Sequence, residues 1–175
     1  EWIQKFSDPY AVLGISVAAD ENRILKRYRQ IAKLLHPDVQ TNNDYQVQAF
    51  AGQVLARLVN PSYQKLKQEK GRAETLATLR FRVRRLSREN KLTLDGELAN
   101  QLMAIAEPEV EIFYEQMLAN LATHQYQAHD CFEQITHQIG ELNLVYLRRK
   151  MGDLVIRQKR MGLVASQDIA QVSTD

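Results

Sequence analysis

The sequence predicts an all-α protein, and three observations carry that prediction. Apolar residues recur at steps of three and four through most of the chain, the period of one helix face. Strand-type alternation is scarce. Only seven Gly and four Pro punctuate the 175 residues. A hydrophobic content of 45% and a charged content of 25% are ordinary for a globular protein. The length suffices for one compact domain or two small ones.

The clearest helix covers residues 20–35. Ile24, Tyr28, Ile31 and Leu35 form its apolar stripe. Its other side carries Arg23, Lys26, Arg27, Arg29 and Lys33, and no acid lies between residues 22 and 37. Pro37 has no amide hydrogen to offer the preceding turn. It also drives His36 out of the helical region, so the helix ends at about Leu35. The polar run 39–44 turns the chain away. His36 and Asp38 are thereby held on an exposed loop with a rigid residue between them. One apolar stripe, one positive stripe and a His-Pro-Asp stop suggest a docking surface rather than a pocket for chemistry.

A third helix follows from Val47, Phe50, Ala51, Val54 and Leu58, a stripe able to pack antiparallel on the second. Asp44 or Asn43 caps its start. Gly52 interrupts it, and the step Asn60-Pro61 ends it and opens another helix. Beyond residue 71 the pattern is that of a helical bundle. Leu76, Leu79, Val83 and Leu86 mark one stripe, although Phe81-Arg82-Val83 briefly alternates like a strand. Residues 92–96 read as a break, with Asp95-Gly96 as the turn signal. Leu98, Leu102 and Ile105 mark a short helix ending near Pro108. Val110, Phe113, Tyr114, Met117 and Leu121 mark the next. Phe132, Ile135, Ile139, Leu142 and Tyr146 mark the last, continuing past Met151 and Leu154. The final residues 164–175 are expected to fray.

Charge is blocked along the chain. Residues 65–91 hold ten Lys or Arg against three Glu, residues 92–147 hold nine Asp or Glu and no Lys or Arg, and residues 148–160 return six basic residues against one Asp. The expectation is that basic and acidic helices lie side by side and neutralise one another. The arginines Arg80, Arg82, Arg84, Arg85 and Arg88 raise a second reading, nucleic-acid or ribosome binding with Phe81 stacking on a base. The acidic block that follows makes nucleic acid the less favoured partner.

The one cysteine, Cys131, excludes an intramolecular disulfide and points to a reducing compartment, the cytoplasm or an organelle stroma or matrix. No apolar run is long enough to span a bilayer. His129, Glu133 and His137 stand four apart with Cys131 and His124 nearby, but the spacing matches no metal signature. No metal or cofactor is expected. With no phosphate-cradling Gly loop and no nucleophile motif, the chain does not read as an enzyme.

Three motifs in order resemble the J-domain of DnaJ-family co-chaperones. Asp8-Pro9-Tyr10-Ala11-Val12-Leu13-Gly14-Ile15 looks like the family's opening short helix. The run ending in His36-Pro37-Asp38 is similar to its second helix and signature loop. Asn60-Pro61 stands where the family usually has Asp-Pro. The resemblance covers roughly residues 7–71 and implies a J-domain helical hairpin over residues 1–71 with a helical client- or partner-binding region over 72–163, ahead of the flexible tail 164–175 expected from the sequence itself. It implies a DnaK-type heat-shock chaperone as partner, whose ATP hydrolysis His36, Pro37 and Asp38 stimulate while Lys26, Arg27, Arg29 and Lys33 meet an acidic surface. Neither a Gly/Phe-rich linker nor Cys-x-x-Cys repeats follow, so a specialised member is expected, with an unknown client. The iron–sulfur-assembly type of J co-chaperone shares this domain order and stands as an alternative.

Overall fold

Four consecutive residues near the start of the chain, Tyr10, Ala11, Val12 and Leu13, are all buried. A helix apolar on every side must be covered on every side, and the architecture follows from that requirement. The computed structural model describes residues 2–39, 44–89, 91–92 and 95–171, without the side chains of residues 3 and 152–171. Helix α1 (Pro9–Leu13) is followed by α2 (Glu21–Leu35) and α3 (Tyr45–Val54). A π-helical turn (Leu55–Val59) leads into α4 (Asn60–Leu66), then α5 (Glu69–Arg88), α6 (Glu97–Ala104), α7 (Val110–Gln125) and α8 (His129–Gln171). Among the described residues there is no strand. The fold is all-α, a J-domain-like helical arrangement joined to a bundle, as expected.

Aspartates start the first three helices. Asp8, Asp20 and Asp44 each accept from an amide in the first turn, at 2.9 Å from Tyr10, 2.8 Å from Arg23 and 2.9 Å from Gln46. Each satisfies a donor that helix geometry leaves orphaned. Helix α1 stops at Gly14, whose φ of 65° is the left-handed conformation that favours glycine.

Helix α8 is the spine. Helices α1, α3, α5, α6 and α7 all pack on it, and Phe132, Ile139, Leu142 and Val145 along it are almost fully buried. The opposite side of α1 meets α4 and the π turn. The hydrophobic core therefore runs unbroken across residue 71, from Leu13 and Ile31 to Leu102 and Leu142.

Several expectations need correction. Gly52 does not interrupt α3, because a single exposed glycine costs less than the surrounding turns supply. Asn60-Pro61 opens a helix as expected, α4 with Pro61 in its first turn, but the coil ahead of it does not break off. In a regular α-helix the Pro61 ring would press on the carbonyl four residues back. The π turn ahead of it, in which the Asn60 amide donates to the Leu55 carbonyl, widens the coil and lets the chain pass. The segment Phe81-Arg82-Val83 is helical within α5. The backbone of α8 stays helical to Gln171, into the expected tail; residues 172–175, like 93 and 94 in the expected break, lie outside the described residues.

Candidate docking surface

Helix α2 ends where Pro37 requires. His36 takes φ −66° and ψ 136°, an extended conformation, and the Val39 amide closes a turn onto the His36 carbonyl at 3.0 Å. The loop stands in solvent. The side chains of His36 and Asp38 are 55% and 89% exposed, with His36 Nδ1 3.5 Å from Asp38 Oδ2. The Asp38 amide lies 3.3 Å from the same Nδ1. A neutral ring can accept from that amide, and a protonated ring can meet the carboxylate. The first ties the His36 ring to the Asp38 backbone and the second to its side chain, so both keep the loop compact ahead of any partner.

The cationic stripe of α2 is split by what packs beside it. Lys26, Arg29 and Lys33 are exposed and border an open groove with Leu25 and Gln30. Arg23 and Arg27 lean the other way, towards α7. Arg23 Nη2 pairs with Glu115 Oε2 at 2.9 Å. Arg27 does not belong to the exposed set that the sequence suggests. Its Nε donates to the Leu13 carbonyl at 2.8 Å and its Nη2 to the Ala122 carbonyl at 2.9 Å. Its guanidinium also faces the Tyr126 ring, 5.8 Å from the centroid. Burial pulls its pKa below the ordinary arginine value, and the two carbonyls and the ring face compensate the desolvated charge. An arginine beside an apolar stripe can lie either way, and α7 decides it here.

The apolar side of α2 is fixed by Ile24, Ile31 and Leu35. Tyr28 stacks on Tyr63 of α4 with centroids 4.0 Å apart, and its hydroxyl donates to Asn60 Oδ1 at 2.8 Å. Asn60 thus positions α2 as well as preceding Pro61. Helix α3 reaches α8 through Phe50, which stands edge-on to Trp2 and His129.

Gln125 and Asn143 are fully buried polar side chains that no local motif singles out. Gln125 donates to the Ala11 carbonyl at 2.9 Å and to Thr136 Oγ1 at 2.9 Å. Asn143 donates to Asp8 Oδ2 at 2.9 Å and accepts from the Tyr114 hydroxyl at 2.6 Å. That hydroxyl accepts in turn from the Val17 amide at 3.1 Å. Both residues sit on otherwise apolar helix stripes, which was the available signal.

The remaining candidates are dispersed. Arg80, Arg84, Arg85 and Arg88 are exposed on α5, while Arg82 turns to Ser7, Nη1 to Oγ 3.5 Å. The expected neutralisation by the acidic block does not occur there. Glu107 pairs with Arg149, Glu115 with Arg23, Glu133 with Lys5 and Glu141 with His137. His129 pairs with Asp130, and His124 with Gln127. Among the described residues no three His, Cys, Asp or Glu side chains come together as a metal site would need.

Comparison with known proteins matches residues 8–75 to the DnaJ domain. Residues 8–75 are a DnaJ domain. It comprises α1 to α4 and the first turns of α5, and it includes the His36-Pro37-Asp38 loop. The curated Curved DNA-binding protein of Serratia proteamaculans (strain 568) is 37% identical over 70 residues, 40% of this chain and 20% of that protein. The chain thus covers about a fifth of that relative's length. No solved structure matches the chain. Among the described residues, no helix is long and apolar enough to cross a membrane.

Proposed function

We propose that the chain is a cytoplasmic co-chaperone that docks on a DnaK-type heat-shock chaperone through its J-domain and stimulates that partner's ATP hydrolysis. The later helices bring a specific client. The observation that carries this reading is the exposed His36-Pro37-Asp38 loop beside the uncovered cations Lys26, Arg29 and Lys33. A rigid loop needs little ordering on contact, which lowers the cost of binding. The lysines and arginine raise the encounter rate with an acidic surface and fix its orientation. The chain's own contribution is recognition and positioning, and the bond-breaking belongs to the partner. Arg23 and Arg27, committed to α7, support the reading in another way. They hold α2 in place, so that the loop and the three cations are presented from a rigid helix.

Single-turnover ATP hydrolysis by a DnaK-type chaperone, with and without the chain, tests this. His36→Gln is expected to reduce the stimulation about tenfold or more, with an unchanged far-ultraviolet circular dichroism spectrum, because an exposed side chain carries little folding energy. Raising the salt is expected to weaken the wild-type effect progressively. Undiminished stimulation by His36→Gln would remove the proposal.

A further inference from the structure

Among the described residues the arginines on the outward face of α5 have no ion-pair partner, and the chemistry of that face is unlike that of an ordinary solvated helix. Arg80, Arg84 and Arg88 follow at steps of four along it, with Phe81 and Arg85 as a parallel row. All five are exposed, and Phe81 keeps 60% of its surface open. Among the described residues none of the four arginines makes an ion pair. The nearest acids in sequence are already held by lysines, Glu74 by Lys65 and Glu89 by Lys91. Of the acids in the next segment, Glu107, Glu115, Glu133 and Glu141 pair elsewhere, with Arg149, Arg23, Lys5 and His137. Four adjacent guanidinium groups repel one another, and two such residues at i, i+4 weaken a helix. Leaving an apolar ring in water among them adds a further cost.

We propose that this face of α5 binds single-stranded nucleic acid. Steps of four place successive arginines about 6 Å apart along the axis, close to the step between neighbouring phosphates on one strand. Arginine is suited to phosphate through its planar fork of donors. Phe81, beside Arg80 at the start of the row, offers a ring on which an unpaired base can stack. A duplex hides its base faces and would leave that ring unused. An anionic membrane is disfavoured because the face has one large apolar residue, whereas a helix lying in a lipid interface needs a broad apolar side. The surface lies on α5 and shares no residue with the His36-Pro37-Asp38 loop or with Lys26, Arg29 and Lys33, so it adds to the co-chaperone reading without depending on it.

The test is fluorescence anisotropy of the full chain with labelled single strands of mixed sequence, RNA and DNA in separate arms, over a series of salt concentrations. Binding of either strand is expected, with log K falling against log salt at a slope of about −3 for four phosphates. The double variant Arg84→Gln/Arg88→Gln should flatten that slope by about 1.4. Phe81→Ala should weaken binding about tenfold and leave the slope alone. These positions are exposed, and circular dichroism of each variant checks that it is folded. Absence of binding to both strands at low salt overturns the proposal. So does a neutral Phe81→Ala combined with equal affinity for a duplex, or displacement of the strand by polyglutamate as readily as by unlabelled strand. Preferential binding to vesicles containing phosphatidylserine would assign the face to lipid instead, and overturn it too.

Discussion

Asn143 is the residue on which the junction between α1 and α8 turns. Its amide donates to Asp8 Oδ2 and its carbonyl oxygen accepts from Tyr114, so one side chain satisfies two buried partners. Burial raises the Asp8 pKa, and the hydrogen bond from Asn143 and those from the α1 amides only partly oppose the rise. The folded state therefore keeps the Asp8 proton at a pH where the unfolded chain has lost it. The stability contributed by this group falls as pH climbs from the ordinary carboxyl value through the raised one, and is flat above. Asn143→Asp preserves the acceptor for Tyr114 but sets a second carboxyl against Asp8. Both cannot ionise in that site without a large penalty. Urea unfolding is expected to show a loss of about 3 kcal/mol or more relative to wild type at neutral pH, shrinking markedly towards pH about 4, where both carboxyls approach protonation. An equal loss at both pH values would mean that the carboxyl at position 8 is well solvated.

At the scale of elements, what was legible in the sequence was local. The period of α2 and its stop at Leu35 follow from residues within one or two turns, and Pro37 alone sets the His36 backbone. Helix α3 and its sequel were less legible, because Gly52 and Pro61 read as breakers and both are overridden. Propensity is a weak prior beside tertiary packing: Ala51 just before Gly52, and Val54, Leu58 and Val59 after it, are buried. Two neighbouring buried residues, Leu58 and Val59, mark the widened turn that carries the helix past Pro61. Gly52 itself gains nothing from being glycine. Its φ is not positive, and a Cβ there would meet nothing within 4 Å. Gly52→Ala should consequently stabilise the protein by about 0.4–1 kcal/mol, mainly by restricting the unfolded chain. In a chain of this size that is a rise of roughly 2–4 °C in melting temperature for the upper figure, readable by circular dichroism. A fall instead would show that the local backbone is more strained than its dihedral angle suggests.

At the scale of the whole molecule, the bundle completes the J-domain and is more than an appendage to it. Its polar links to α1 join residues more than a hundred positions apart, Gln125 to Ala11 and Asn143 to Asp8, and no periodicity within one helix could reveal them. Separation along the chain likewise hid the fate of Arg27, whose partners come from α7 and from the carbonyl of Leu13. It also hid the pairing of Glu115, Glu107 and Glu133 with Arg23, Arg149 and Lys5, away from α5. If the core is one body, it should unfold as one. Trp2, the single tryptophan, reports on this directly. It lies 5.7 Å from Phe50 of the J-domain and 6.3 Å from Phe132 of α8, ring centre to ring centre. Its fluorescence senses the junction, while far-ultraviolet circular dichroism senses all the helices. The two probes are expected to trace one coincident transition in denaturant. Phe132 is 1% exposed and also touches Phe6 and Tyr126, so Phe132→Ala removes packing on both sides at a cost of about 3–5 kcal/mol. In that variant both midpoints should move down together. Separation of the two curves, with helix content surviving the loss of the Trp2 signal, would show that the J-domain and the bundle fold independently and that the shared core contributes little.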